Sequence, residues 1–304
     1  MTAIEVKDLV KKYDSVTAVN GISLEVKSGE FFGFLGPNGA GKTTTIHILC
    51  TLLKPTSGSA KINGYDCVTQ ALQVRSSIGL VFQETTLDRE LSVYENLLFN
   101  CYLYNLKKKV AEARIDEILE VSGLKDRKHH SILKLSGGMR RNLDIARGIL
   151  HRPKILFLDE PTIGLDPQAR IHIWDFINKL RKQEAMTVFL TTHYMEEAEK
   201  CDRIGIIDHG RLIALGTPAE LKRMIKGDVI HLRTTRDLEV EQLIQKQFQL
   251  STKRTPEGIF LEVDSSEAFI PLLFKTFGDQ IQAININRPS LNDVFLHLTG
   301  REFK

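Results

Sequence analysis

The stretch Phe31-Phe32-Gly33-Phe34-Leu35-Gly36-Pro37-Asn38-Gly39-Ala40-Gly41-Lys42-Thr43-Thr44 decides how the chain is read. A compact apolar run stops at a glycine-rich loop. Beyond it, Ile46, Leu49 and Leu53 recur at helical spacing over Thr43–Leu53. The pattern is strand, loop, helix. Gly36–Thr43 fits G-x-x-x-x-G-K-S/T, and the residue types suit a phosphate. Gly36, Gly39 and Gly41 permit torsions that aim successive N–H groups at an anion. Lys42 is a mobile point charge for the outer phosphates. The Thr43 hydroxyl can ligate Mg²⁺, and the helix start directs its positive end at the same ligand.

Upstream, Ile4 and Val6, and then Ile22, Leu24 and Val26, alternate with polar residues, as in antiparallel strands. Downstream, a strand is expected at Ile78–Phe82. Residues 86–150 read as a helical insertion, with Val110, Ala113, Ile118 and Val121 on one helix over Lys107–Gly123. Ile155–Asp159, Thr187–Thr191 and Arg203–Asp208 are short apolar runs separated by helical segments, the pattern of a parallel α/β sheet. Asp166-Pro167 offers an N-cap and an N1 proline to a helix presenting Ile171, Trp174 and Ile177. Thr217-Pro218-Ala219-Glu220 is a capping box, whose helix runs to Met224–Lys226 and ends at Gly227. A domain boundary is placed there. The first domain is 1–226, and 227–304 is a small α+β domain with strands at VIHLRT, GIFLEV and IQAININ and a last helix capped by Ser290.

Asp159 ends its strand, where a carboxylate can hold Mg²⁺ together with Thr43. Glu160 follows it and faces another way, towards an attacking water. Composition sets the outer bounds. The 304 residues carry a net charge of +3, with 42% hydrophobic and 26% charged residues. This is a globular balance, and it argues against a nucleic-acid binder relying on bulk positive charge. No apolar run approaches the ~20 residues that span a bilayer, and residues 1–20 lack a signal-peptide core. Cys50, Cys67, Cys101 and Cys201 show no metal-site spacing and are read as reduced thiols.

Gly36–Thr43, Gln83, Leu135-Ser136-Gly137-Gly138, Ile155–Glu160, Gly164-Leu165-Asp166 and His193 stand in the order of ATP-binding-cassette ATPases, which residues 1–226 resemble nearly end to end. The discriminating element is L-S-G-G. The stretch from Gln83 to Ser136 has room for a helical subdomain but not for a long coiled coil. The resemblance implies ATP and Mg²⁺ as cofactors and a head-to-tail dimer of two copies, with each ATP between a phosphate loop and the partner's signature, Leu135–Met139. It implies Glu160 as the group that polarises water, His193 as the γ-phosphate contact that holds Glu160, and Thr43, Asp159 and Gln83 around Mg²⁺. It also implies Tyr13 stacked on adenine, and Gly164, Leu165 and Asp166 at the seam. Ser136 and the following amides are expected to cap a helix beginning near Met139. Met139 stands where the family usually has Gln, and Ile163 where it often has Ser. The first change puts a ribose or cross-dimer contact in doubt; the second bears on coupling between sites.

The resemblance further implies a peripheral subunit on the cytoplasmic face of the membrane, docked on a separate permease. Leu97, Leu98, Phe99, Tyr102, Leu103 and Tyr104 are its candidate contacts, with the core of the helical lobe as the other reading. The tail Ser290-Leu291-Asn292-Asp293-Val294-Phe295, closing on His297-Leu298-Thr299-Gly300, resembles export cassettes of the daunorubicin type, so export is expected over import. Two other readings stand beside it: a soluble cassette acting on ribosomes or nucleic acid, and a low-turnover nucleotide-gated module.

Overall fold

The computed structural model describes every residue except Lys226, Glu257, Arg288 and Lys304, together with the side chain of Asn287. The chain divides into two compact units, Met1–Leu212 and Ile213–Lys304. The division falls inside a strand, Arg211–Gly216, fourteen residues before the boundary read from the sequence, whose Lys226 lies outside the described residues.

The first unit opens with β1 (Thr2–Tyr13), β2 (Val16–Lys27) and β3 (Phe31–Leu35), followed by α1 (Lys42–Leu49). Next come β4 (Ser57–Ile62), β5 (Tyr65–Asp66), α2 (Ala71–Ser77) and β6 (Ile78–Val81). The helical insertion holds α3 (Val93–Leu103), α4 (Lys108–Val121) and α5 (Gly137–Gly148). After it run β7 (Ile155–Asp159), α6 (Pro167–Glu184), β8 (Thr187–Thr192), α7 (Met195–Ala198), β9 (Arg203–Asp208) and β10 (Arg211–Gly216).

Two sheets result. The antiparallel one has the order β2-β1-β4-β5, as the alternation of residues 1–35 anticipates. The other has the order β10-β9-β3-β8-β7-β6, with β9, β3, β8, β7 and β6 joined in parallel. Strands β3, β7 and β8 are buried along their whole length, which explains why they read as continuous apolar runs. Phe189 is the centre of their packing. Its ring lies 5.3, 5.6 and 5.5 Å from those of Phe32, Phe34 and Phe157.

Several helix faces differ from expectation. Helix α1 stops at Leu49, because Thr51 turns to φ 64° and carries Leu53 off the helix. In α4 the buried stripe is Ala111, Arg114, Ile115, Ile118 and Leu119, leaving Val110 and Ala113 exposed. The stripe shifted because Arg114 is a core residue. It pairs with Glu117 and Glu184 at 2.9 and 2.8 Å and donates to the carbonyls of Ile149 and Leu150. In α6, Trp174 and Ile177 are buried, but Ile171 faces out and Ile173 takes its place.

The second unit continues with α8 (Pro218–Lys222), β11 (Asp228–Thr234), α9 (Asp237–Phe248), β12 (Thr252–Thr255) and β13 (Gly258–Val263). It closes with α10 (Ser266–Phe277), β14 (Ile281–Asn287) and α11 (Leu291–Thr299). From β11 to β14 the succession is βαββαβ, and the sheet order β12-β13-β11-β14 gives a ferredoxin-like split. The Thr217 capping box forms, but α8 ends at Lys222, short of the expected Met224–Lys226. Ser290 caps α11 as expected, in a capping box with Asp293. All four cysteines are buried and free. Burial pushes the Cys67 thiol up to about 12.

Candidate active site

Because β6, β7, β8 and β3 are adjacent and parallel, their C-terminal ends gather at one edge of the sheet. In open α/β sheets this edge is where ligands bind. Here it brings together Gln83 after β6, Asp159 and Glu160 at β7, His193 after β8 and the phosphate loop after β3. A cavity of about 450 Å³ opens there, lined by Asn38, Gly39, Gly41, Lys42, Thr43, Thr44, Gln83 and Glu160 with Ala18 and Ile163.

The loop needs its glycines for two reasons. Gly41 is left-handed at φ 103°, and a Cβ on it would stand 2.3 Å from the Ala18 carbonyl. A Cβ on Gly36 would meet Ile207 at 2.6 Å. Ala40 accepts those constraints from the other side, buried with its carbonyl taking the Gly210 N–H. Lys42 begins α1 and is only 4% exposed. Its ammonium has three N–H groups. They point at the Gly36 carbonyl (2.8 Å), the Pro37 carbonyl (3.1 Å) and Glu160 Oε1 (3.0 Å). A phosphate entering the loop competes for these same protons.

Glu160 is the hub. One carboxylate oxygen meets Lys42, and the other lies 2.9 Å from His193 Nδ1. Its backbone sits at φ 44°, a conformation that costs a side-chain-bearing residue about 1–3 kcal/mol. The surroundings hold it there: the Glu160 N–H donates to both the carbonyl and Oγ1 of Thr191, each at 3.1 Å. Thr191 is paired across the sheet with Asp159, and its hydroxyl donates to Asp159 Oδ1 at 2.5 Å. Thr43 Oγ1 lies 3.4 Å from that same oxygen. Thr43, Asp159 and Gln83 therefore offer oxygen donors only, a hard set that suits Mg²⁺. Among the described residues no cluster of three or more His, Cys, Asp or Glu forms a metal cage. A site with one carboxylate fits a cation held largely by phosphate and water.

The signature segment stands apart. None of Leu135–Met139 lines the cavity. Helix α5 starts at Gly137, two residues before Met139, with Ser136 as its N-cap accepting from the Met139 N–H at 3.2 Å. Leu135 is buried and anchors the turn. A Cβ on Gly138 would strike Ala169 of α6 at 2.9 Å, so the glycine lets the two helices close up. Gly164 adopts φ 71°, Leu165 closes a turn onto the Thr162 carbonyl, and Asp166 caps α6 through the Ala169 N–H at 2.9 Å. Tyr13 is not among the cavity-lining residues. It lies at the end of β1, 42% exposed, with the Lys11 ammonium 5.2 Å from its ring.

Sequence reading missed three residues that organise this edge. In the sequence Thr191 reads only as the end of a strand. Glu197 on α7 is buried and accepts from Thr162, from Thr192 at 2.6 Å and from Trp174 Nε1 at 3.4 Å, tying the start of the Thr162–Asp166 turn to the end of β8. Arg141 on α5 reaches the backbone beside Gln83 and Glu160. Only an acid or arginine in an otherwise buried stripe could have signalled the last two.

Known proteins are similar to this chain along its whole length. Residues 19–163 match the family model "ABC transporter", and residues 216–299 match "ATP-binding protein DrrA1-3-like, C-terminal domain". The daunorubicin resistance ATP-binding protein DrrA3 of Streptomyces coeruleorubidus is 40% identical, covering 98% of this chain and 96% of the relative. The linearmycin resistance ATP-binding protein LnrL of Bacillus subtilis is 37% identical over 99% of each. Among solved structures, cbiO1 from Clostridium perfringens, part of the ABC transporter complex cbiONQ, gives a TM-score of 0.68 at 28% identity, covering 82% of this chain and 96% of that one. The dimeric post-hydrolysis state of the ATP-binding cassette MJ0796, bound to ADP and Pi, gives 0.64 at 27% identity, covering 70% and 98%. A phosphate loop, two strand-end acids and a capped L-S-G-G helix on one scaffold, in a chain so related over its whole length, place this protein in the ABC transporter ATP-binding family, as an ATPase.

Proposed function

We propose that the chain powers export through a separate membrane permease, working as a homodimer that closes on two ATP molecules. The observation that carries the catalytic part is the position of Glu160, held between Lys42 and His193 beside the phosphate loop. Gly39, Gly41, Lys42, Thr43 and Thr44 bind the phosphates through backbone N–H groups, the ammonium and the start of α1. Thr43, Asp159 and Gln83 hold Mg²⁺, which neutralises charge on the phosphate oxygens when bound. Glu160 takes the proton of the attacking water, and His193 holds its carboxylate in register. Tyr13 supplies a face for adenine.

Ser136 and the first amides of α5 form an anion site away from their own chain's cavity, which supports a role for them on the partner's γ-phosphate. Gly164, Leu165 and Asp166 lie beside them, at the seam. Full-length similarity to proteins named for drug resistance, and to the Nod factor export ATP-binding protein I of Burkholderia pseudomallei at 38% identity, supports export. No helix among the described residues is long and apolar enough to cross a membrane. In this reading the membrane passage belongs to a separate permease, at whose cytoplasmic face this subunit docks. Phe99, Tyr102, Leu103 and Tyr104 are exposed on the helical lobe, where Tyr104 lines a groove of about 250 Å³, and are the contacts proposed for the permease; Leu97 is core and Leu98 half-buried.

Glu160→Gln tests the catalytic assignment. ATP binding should persist while hydrolysis falls about 10²–10⁴-fold; unchanged turnover rejects Glu160 as the base. Affinity capture of the chain from detergent-solubilised membranes tests the transport assignment, which predicts recovery of a multi-spanning protein and fails if ribosomes are recovered instead.

A further inference from the structure

Arg141 is a buried cation with an unusual set of partners. It lies on α5, five residues after the Ser136 N-cap, and is 7% exposed. A guanidinium carries five N–H donors in a fixed fork. Each of them meets a backbone carbonyl, and none meets a carboxylate. Nε donates to Pro161 at 2.6 Å. Nη1 donates to Phe82 at 2.5 Å and to Gln83 at 3.4 Å. Nη2 donates to Asp159 at 3.2 Å and to Glu160 at 3.4 Å.

These five carbonyls belong to two segments remote from each other in sequence, the end of β6 running into Gln83 and the end of β7 running into Pro161. The second includes Glu160, whose left-handed backbone needs external support. Thr191 secures its N–H side. Arg141 secures the carbonyl side, from the helix that carries the signature.

We infer that Arg141 is a positioning residue for hydrolysis, a five-donor clamp that holds Glu160 and Gln83 at their working positions from the signature helix. It touches neither the cavity nor any reacting group, so it acts through Glu160. The inference rests on Glu160 being the base. Burial makes this charge costly to keep, since it lowers the guanidinium's affinity for its proton. A simple packing role is open to an apolar side chain of the same length; the fork of donors is what the carbonyls require. Lysine cannot replace it, having three N–H groups on a single nitrogen.

The test is a kinetic cycle on the full chain with Arg141→Lys, Arg141→Gln, Glu160→Gln and the double variant Arg141→Lys/Glu160→Gln. ATP affinity is measured by equilibrium binding, and turnover is normalised to nucleotide bound, so that an unfolded fraction drops out. A misplaced catalytic group typically costs about 10²-fold. R141K and R141Q should therefore lose about that much kcat while Kd for ATP moves less than about twofold. In the E160Q background R141K should remove nothing more, because its effect runs through the missing carboxylate. Normal turnover per bound ATP in R141K, or a loss that multiplies fully onto E160Q, overturns the inference. Retained turnover in E160Q alone overturns the underlying assignment instead, and the two failures are thereby distinguished.

Discussion

The two units handle buried polarity in opposite ways. In Met1–Leu212, Lys42, Arg114, Arg141, Asp144, Asp159, Glu160 and Glu197 are all buried, and five of them, Lys42, Arg141, Asp159, Glu160 and Glu197, converge on one edge of one sheet. Among the described residues of Ile213–Lys304 the buried polar side chains are Thr234, Ser266 and Asp293, and each serves the end of a helix or strand. Burying a charge costs several kcal/mol unless it is paired. A region that keeps several in one place is arranged for chemistry, and a region that keeps almost none is arranged for folding. Substitutions of the clustered charges in the first unit should therefore cost turnover, whereas substitutions of core apolar residues, or of the buried polar residues of the second unit, should cost stability alone.

The largest effect is expected at Glu160. E160Q should drop hydrolysis about 10²–10⁴-fold with little change in thermal unfolding; a large fall in Tm would make Glu160 a structural residue and blur the contrast. Phe189→Ala should do the reverse. It removes the ring on which Phe32, Phe34 and Phe157 converge, at about 3–5 kcal/mol. Chemical denaturation should show that loss, while ATP turnover per folded molecule stays near normal. Ser136→Arg comes next. It should cut turnover about 10²-fold by blocking the α5 anion site, yet leave ATP binding by a single chain intact. Loss of binding in S136R would move the signature into its own chain's pocket.

The smallest effect belongs to the second unit. Asp293 is buried, which by itself raises its pKa, but hydrogen bonds from His231 and Ser290 hold the carboxyl below the ordinary 3.8. A lowered folded-state pKa stabilises the fold above the unfolded value, and that stabilisation is lost as pH falls through the lowered one. Asp293→Ala should cost about 1 kcal/mol near neutrality and should flatten the acid limb of stability below about pH 4, with kcat unaffected. A drop in kcat would tie the second unit to catalysis.

The same contrast explains what was legible from residues alone. The phosphate loop, Asp159, Glu160 and His193 could be read because each ends a local strand signal, and parallel pairing then brings the strand ends together. Ser136, Asp166, Thr217 and Ser290 could be read as caps because capping acts over three residues. Arg141 and Arg114 could not, because their carbonyl partners lie up to 59 residues away and carbonyls carry no residue identity. Ile171 and Val110 misled for a simpler reason: each lies one turn from a buried stripe and is apolar without being buried. In the second unit, β12 is Thr-Lys-Arg-Thr, with no apolar signal, and it forms because β13 offers it an edge. Without β12 the βαββαβ order was hidden, although its other three strands were visible.

Head-to-tail closure on ATP is the central claim, and the mass of the E160Q variant in solution tests it most directly. Small-angle scattering coupled to gel filtration, with saturating ATP and Mg²⁺, should give twice the chain mass of 34.4 kDa. Adding Ser136→Arg to the same variant should return it to a single chain. A single-chain mass for E160Q at saturating nucleotide, with ATP demonstrably bound, would refute the shared site.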